Sequence, residues 1–365
     1  MNPFIETAPS GKQFVSKKVS LNRVMLAKLP LYGIDDAAEG KIAFDIFSTW
    51  AIINFIKANA PKYGIDISGY ADTKLPVFLN EGLQSSSLKI KNFCRYVAIH
   101  FGNRLGLILL TLKTGLPQNR AARQEWNDEH WEYFKNLKTF ILCGGLASGR
   151  LGLVFKEQIA YVFDSANVKP YDIVLFESGF LTGVLGAAAL AKQPGSVNLV
   201  FDFGQTNIKR ALIKKDAKDG SLIAKVYAYD SIPSINMWEV YDDAEVKHKE
   251  AVQLHAFLKK AICDTYREAE QTYPELSNEI IISIANYVAD GVISPALSGY
   301  EKLRLLGENY AELLSEELSG NLHRIIKVKL IHDGTATGLY FKDYKNAMCV
   351  TLGTAFGSGF PEIKI

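Results

Sequence analysis

Apolar and polar positions alternate from Gln13 to Val19, a pattern that predicts a strand. From Ala43 to Ala58 the apolar residues Phe44, Ile46, Phe47, Trp50, Ile53 and Phe55 fall at helical spacing, so a helix is expected with its aromatics in a core. Residues 59–82 are rich in Pro, Gly, Asp and Asn and read as a long connection able to line a cleft. A long helix is predicted over Ile90–Leu112, ended by Lys113-Thr114-Gly115-Leu116-Pro117. The polar segment Gln118–Lys138, with Trp126, His130 and Trp131, fits a surface helix or an insertion. A buried strand, Thr139–Cys143, then runs into Gly144-Gly145, followed by a helix over Leu151–Phe163, a strand over Ile173–Phe176 and a helix over Gly179–Lys192. The last helix carries Gly183, Gly186, Ala187, Ala188 and Ala189, so it can pack closely on a neighbour.

The second half opens on an apolar run, Val200–Phe203, a polar turn, and an alternating run to Ile213, which together predict a hairpin. A third strand over Leu222–Tyr229, a helix over Lys247–Thr272, a strand over Glu279–Ala285 and a helix over Tyr300–Leu318 follow. The strand Val328–Ile331 delivers His332-Asp333-Gly334-Thr335 to another helix, so residues 196–345 read β-β-β-α-β-α-β-α. The chain then closes with a strand over Ala347–Leu352, a glycine turn over Gly353–Gly359 and a strand over Phe360–Ile365. Two strands are not stable alone. Their remaining partners must come from residues 1–192, despite the distance in sequence, and the strand 347–352 is expected in one sheet with 139–143 or 13–19.

At 365 residues the chain suits two domains better than one. Apolar content of 48%, charge of 22% and a net charge of +2 describe an ordinary globular protein and give no reason to invoke nucleic acid or a membrane surface. No apolar stretch is long enough for a membrane span, and no signal peptide is read at the N-terminus. Cys94, Cys143, Cys263 and Cys349 are scattered, without C-x-x-C or a Cys/His cluster, so no dedicated metal cluster is expected and a reducing cytoplasmic setting fits.

Three glycine turns each follow a predicted strand. Asp202-Phe203-Gly204-Gln205-Thr206 offers a carboxylate, a glycine and a hydroxyl within five residues, which suits either a phosphate with its hydrated divalent ion or the polar tip of an ordinary hairpin. Gly353-Thr354-Ala355-Phe356-Gly357 offers turn N–H groups and a hydroxyl, or a Gly-rich hairpin. Gly144-Gly145-Leu146-Ala147-Ser148 is a strand-to-helix turn, and an ordinary βα turn would also favour glycine there. Asp333, between a strand and a helix, suits a helix N-cap or a general base.

The run Asp202 to Lys209 resembles the first phosphate motif of the sugar kinase and actin superfamily, in the Asp-x-Gly-Gly-Thr-x-x-Lys form of the ROK sugar kinases. Cys349–Phe360 resembles the ROK second phosphate motif, and Ile141–Ser148 its adenosine motif. The resemblance implies an α/β fold of two actin-like (RNase H-like) domains with a nucleotide cleft between them, in circularly permuted order. Domain II would comprise 1–178 with 346–365, residues 179–195 a crossover helix and linker, and 196–345 domain I. The implied activity is ATP-dependent phosphorylation of a sugar hydroxyl with Mg²⁺, Asp333 being the general base. Phosphate and Mg²⁺ contacts would come from Asp202, Gly204, Gln205, Thr206, Lys209, Gly353, Thr354, Ala355 and Gly357, and adenosine contacts from Gly144, Gly145, Leu146 and Ser148. His332, Asn286 and Glu81 would meet the sugar. Asp202, Thr206, Gly353, Thr354 and Gly145 would all face the one cleft. A small sugar is the expected partner, and a homodimer is compatible.

The sequence departs from the ROK pattern at Gln205 and Ala355, which stand for glycines, and at His332, which stands for the Asn before the base. The family's His-x-Gly-His and Cys-rich zinc motifs are absent. An FGGY-type sugar kinase, or a degenerate kinase that binds nucleotide or sugar without catalysis, are the competing readings.

Overall fold

The computed structural model describes residues 2–176, 181–235, 243–295 and 298–365. The chain is mixed α/β and divides into two compact units. Met1–Phe4, Lys18–Phe180 and Asn346–Ser358 form the first; Ile5–Lys17, Leu181–Lys345 and Gly359–Ile365 form the second. The expected boundary at 178 and the start of the helix predicted over 179–192 lie outside the described residues.

The first unit holds a four-stranded sheet in the order Phe356–Gly359, Ala347–Leu352, Thr139–Cys143, Asp172–Leu175. The strand Ala347–Leu352 runs parallel to Thr139–Cys143, with Ala347 opposite Thr139 and Thr351 opposite Cys143. All five residues of Thr139–Cys143 are buried, which is why that run is continuously apolar rather than alternating. The sheet thus joins strands from residues 139–175 to strands from residues 347–359, as the unfinished pattern after residue 346 requires. Helix Leu88–Thr114 packs on helix Gly149–Ser165 through Gly102 and Gly106, where a Cβ would come within 2.7 Å of Gln158 and 2.9 Å of Val162.

Several elements of this unit differ from the periodicity reading. The helix expected over 43–58 is two helices, Ala43–Ile46 and Thr49–Asn59. Phe47 is extended, and the Ser48 side chain accepts the Ala51 N–H, so a serine cap restarts the helix. The connection read over 59–82 contains the helix Leu75–Gly82, with proline in its first turn. The polar segment after Pro117 forms Pro117–Ala121 and Asp128–Asn136, and His130 stacks on Trp126 while its Nδ1 lies against Asn127. His130 is a packing residue.

The second unit centres on a mixed sheet in the order Lys327–His332, Leu276–Ile284, Val197–Phe203, Asn207–Lys215, Ile223–Ala228, with Ile232–Pro233 beside Asn207–Lys215. The first three strands are parallel, and the hairpin strands join antiparallel. One face packs on helices Ala244–Thr272 and Tyr310–Leu322 around Phe201, Leu258, Ile280 and Leu314. On the other face lie helices Thr182–Ala187 and Asp333–Tyr340, around Val184, Val200, Ile281 and Ala336. Gly186 abuts this second helix so closely that a Cβ would fall 1.7 Å from the Ala336 carbonyl oxygen.

The predicted helix 300–318 is a 3₁₀ turn, Glu301–Leu306, and a helix, Tyr310–Leu322, restarted by the Asn309 cap. The strand expected over 13–19 stops at Val15, pairs with Ile5–Thr7 and belongs to the second unit. Residues 360–365 are not a strand; Phe356–Gly359 is the last one, and the tail instead bonds to Gln13 through Gln13 N–H to Lys364 O at 3.0 Å. Among the described residues no helix is long and apolar enough to cross a membrane.

Candidate functional site

Parallel pairing brings three strand ends of the second unit to one edge. Phe203 and His332 both lie opposite Ile284, and Asp202 lies opposite Ser283. The carboxylate of Asp202 and the strand-to-helix turn at His332-Asp333 are therefore set on either side of one central strand. The C-terminal edge of parallel strands is where open α/β sheets place their ligands.

Asp202 is almost fully enclosed and held on both oxygens. Ser283 Oγ donates to Oδ1 at 2.7 Å, and Lys209 Nζ lies 3.1 Å from Oδ2. Lys209 reaches it because the hairpin register puts it directly opposite Asp202. On a further side sits Gly183: a Cβ there would come within 2.8 Å of the carboxylate. Burial of an ionised group needs such partners.

The turn after Asp202 is braced from inside the protein. Gly204 N–H donates to Asn207 O and to Asp202 O, both at 3.1 Å, so this amide is engaged within its own hairpin. Gln205 Nε2 donates to Ala285 O at 3.4 Å and ties the turn to the end of the central strand. Tyr300 donates its hydroxyl proton to Gly204 O at 2.8 Å, and burial raises its pKa so that it stays a donor.

Asp333 is the first residue of its helix, and its cap is not its own side chain. His332 takes that role: its Nδ1 accepts the Thr335 N–H at 3.2 Å. The N-cap explanation of Asp333 is thereby overturned. Asp333 Oδ1 accepts the Gly334 N–H at 2.7 Å and lies 3.1 Å from His332 Nε2. Enclosure and then the charge of Asp202 push the Asp333 carboxyl up to about 7, against the opposing effects of the Gly334 N–H and the Lys209 ammonium. Burial pushes His332 down to about 3, so its ring is neutral at pH 7.

Beside this pair, Tyr287 stacks on the His332 ring at 4.4 Å and 24°. Asn286 donates through Nδ2 to Ser298 Oγ at 2.7 Å, and its buried Oδ1 has no hydrogen-bond partner among the described residues. Thr206, at the tip of the hairpin turn, completes the set of expected residues in this unit. Among the described residues no group of three or more His, Cys, Asp or Glu could hold a metal ion.

The remaining expected residues belong to the first unit. Its parallel strands Thr139–Cys143 and Ala347–Leu352 end side by side, which sets the turns Gly144–Ser148 and Gly353–Ala355 at one sheet edge. Gly144 has φ +91°, and a Cβ there would meet Leu352 O at 2.6 Å, so it is a glycine for the sake of strand packing. Gly145 is different: a Cβ there meets nothing within 4 Å. Ser148 Oγ donates to Gly145 O at 2.9 Å, while the Leu146 side chain is buried. Gly353 O accepts the Thr49 N–H at 3.1 Å, and Asn22 clasps Phe356 with a donated and an accepted bond of 2.9 and 2.8 Å. Thr354, Ala355 and Gly357 are half-buried. Glu81 is exposed on helix Leu75–Gly82, in a different unit from Asn286 and His332.

Sequence reasoning passed over Ser283, Tyr300, Tyr287 and Asn22. Ser283 left a trace, as the one polar residue in Ile280-Ile281-Ile282-Ser283-Ile284. No family model matches this chain, and no curated protein matches it.

Proposed function

We propose that this chain transfers the terminal phosphoryl group of ATP to a hydroxyl of a sugar or sugar-like molecule, on a circularly permuted actin-like framework. The observation that carries the reading is Asp333: a carboxylate that is not the N-cap of its helix, set across the central strand from Asp202 at the C-terminal edge of parallel strands, with its pKa raised to about 7. A general base works best with a pKa near the working pH.

In this reading Asp333 accepts the proton of the acceptor hydroxyl as its oxygen bonds to the terminal phosphorus. The bond from that phosphorus to the bridging oxygen breaks, and its electron pair leaves with ADP. Thr206 and Lys209, on the hairpin that carries Asp202, contact the phosphates. Asp202 suits a hydrated Mg²⁺, because each of its oxygens, though bonded to Ser283 or Lys209, keeps a second lone pair for a metal-bound water. Mg²⁺, when bound, supplies charge neutralisation on the phosphates. Asp202 orients it, and Ser283 and Gly183 fix Asp202. The setting would be cytoplasmic.

A screen of sugars and polyols for ADP release, with Asp333→Asn as control, tests the proposal. Acceptor-dependent release that the variant lacks is the expected result. A second reading, a nucleotide-binding protein without transferase activity, draws on the Gly204 amide, which is spent inside its hairpin rather than offered to a phosphate. ATP binding without release for any acceptor would favour it.

A further inference from the structure

We infer that His332 is a positioning residue: it holds Asp333 through Oδ1 and so reserves Oδ2 for the acceptor hydroxyl. The catalytic consequence rests on the phosphotransfer reading, whereas the contact itself does not. Nδ1 of His332 accepts the Thr335 N–H at 3.2 Å, so its lone pair is occupied and the single proton of the neutral ring sits on Nε2. Nε2 lies 3.1 Å from Asp333 Oδ1. The Gly334 N–H donates to that same oxygen at 2.7 Å. Both close polar contacts that the carboxylate makes with other described residues thus converge on Oδ1. The ring cannot turn without losing its cap and its stack on Tyr287.

This arrangement also accounts for the histidine itself. Asparagine, which the ROK pattern has here, is a strong N-cap. Histidine caps as well, and its longer reach puts a second nitrogen against the neighbouring carboxylate.

Two measurements on the full chain test the inference. The first is ¹⁵N NMR of the histidine rings. At pH 7 His332 should show a protonated Nε2 and an acceptor Nδ1, and Asp333→Ala should move the Nε2 resonance and leave Nδ1 in place. The opposite tautomer, or an Nε2 signal indifferent to Asp333→Ala, overturns the contact. The second is the kinetics of His332→Asn, which keeps the cap but loses the stack on Tyr287, measured well below its melting temperature so that both proteins are folded. Its kcat should fall ~10–10²-fold, as for a misplaced reacting group, with the KM for the acceptor changed less than about twofold. A raised KM with intact kcat would make His332 a substrate contact and overturn the inference. A parent protein that phosphorylates no acceptor defeats the phosphotransfer reading alone, and the tautomer result still decides the contact.

Discussion

Replacing Asp333 by asparagine separates the role of its charge from that of its shape. The amide oxygen can still accept the Gly334 N–H, so local geometry survives. What disappears is a carboxyl whose pKa stands at about 7 in the folded chain against about 3.9 when unfolded. The folded state holds this proton more tightly than the unfolded state does. Its contribution to stability is therefore fully present below pH ~4 and is lost as pH rises through about 7. Between pH 8 and pH 5 the parent should gain about 2–3 kcal/mol from this group, and the asparagine variant should gain none of it. With 30% of the side chain exposed, solvent moderates that figure toward the lower end. Urea unfolding of both proteins at pH 8 and pH 5 reads the difference directly. The variant should be the more stable at pH 8, with the gap shrinking by roughly 2 kcal/mol at pH 5. The same group sets the pH profile of transfer: kcat/KM should climb below pH ~7 and level off above it. A stability gap that does not change with pH would show that Asp333 titrates as an ordinary carboxylate, and the general-base assignment would lose its support.

Other substitutions divide along the same lines. Gly144→Ala should cost ~2–3 kcal/mol in chemical denaturation, because φ is +91° and the Cβ would meet a backbone oxygen; Gly145→Ala should change stability by less than ~0.5 kcal/mol yet weaken ATP binding by calorimetry. Gly186→Ala, driven 1.7 Å from the Ala336 carbonyl oxygen, should destabilise by ~3 kcal/mol and show no specific effect on nucleotide affinity beyond unfolding. Lys209→Met removes a cation that holds the Asp333 pKa down, so the rising limb of the kcat/KM profile should move to higher pH, and an unmoved limb would show that this ammonium does not act on the base.

What the sequence discloses here follows the range of each interaction. The hairpin around Asp202 and its outer strand Ile223–Ala228 were legible because strand alternation and turn chemistry are local. The pairing of 347–352 with 139–143 was legible for a different reason: two strands alone bury too little, and the deficit had to be met from elsewhere in the chain. Helix interruptions at Phe47-Ser48 and at Gly307 were missed, since the apolar spacing continues through both and only a side-chain cap, Ser48 or Asn309, restarts each helix. The tail was misread because Phe360 and Ile363 look like strand residues, whereas they are buried outside any strand and the Lys364 N–H donates to Gln13 Oε1. At the site, residue types were legible but their division of labour was not. Gly144 and Gly145 are adjacent and identical, yet one is required by the neighbouring strand and the other faces open space.

The two carboxylates at the sheet edge show the same division in electrostatic form. Asp202 lies within a strand, where its cross-strand neighbour supplies an ammonium and its parallel neighbour a hydroxyl. Asp333 lies one residue beyond a strand end, where it receives one backbone N–H and a neutral imidazole, and where Asp202 repels it. Environment rather than residue type thus sets the two aspartates apart: Asp202 is held by an ammonium and a hydroxyl, and Asp333 is pushed toward exchanging a proton near neutral pH. An ordinary hairpin tip and an ordinary helix cap would need neither the ammonium held at Asp202 nor the raised pKa at Asp333. Each is a local cost in stability, and the phosphotransfer reading is the one that gives both a use.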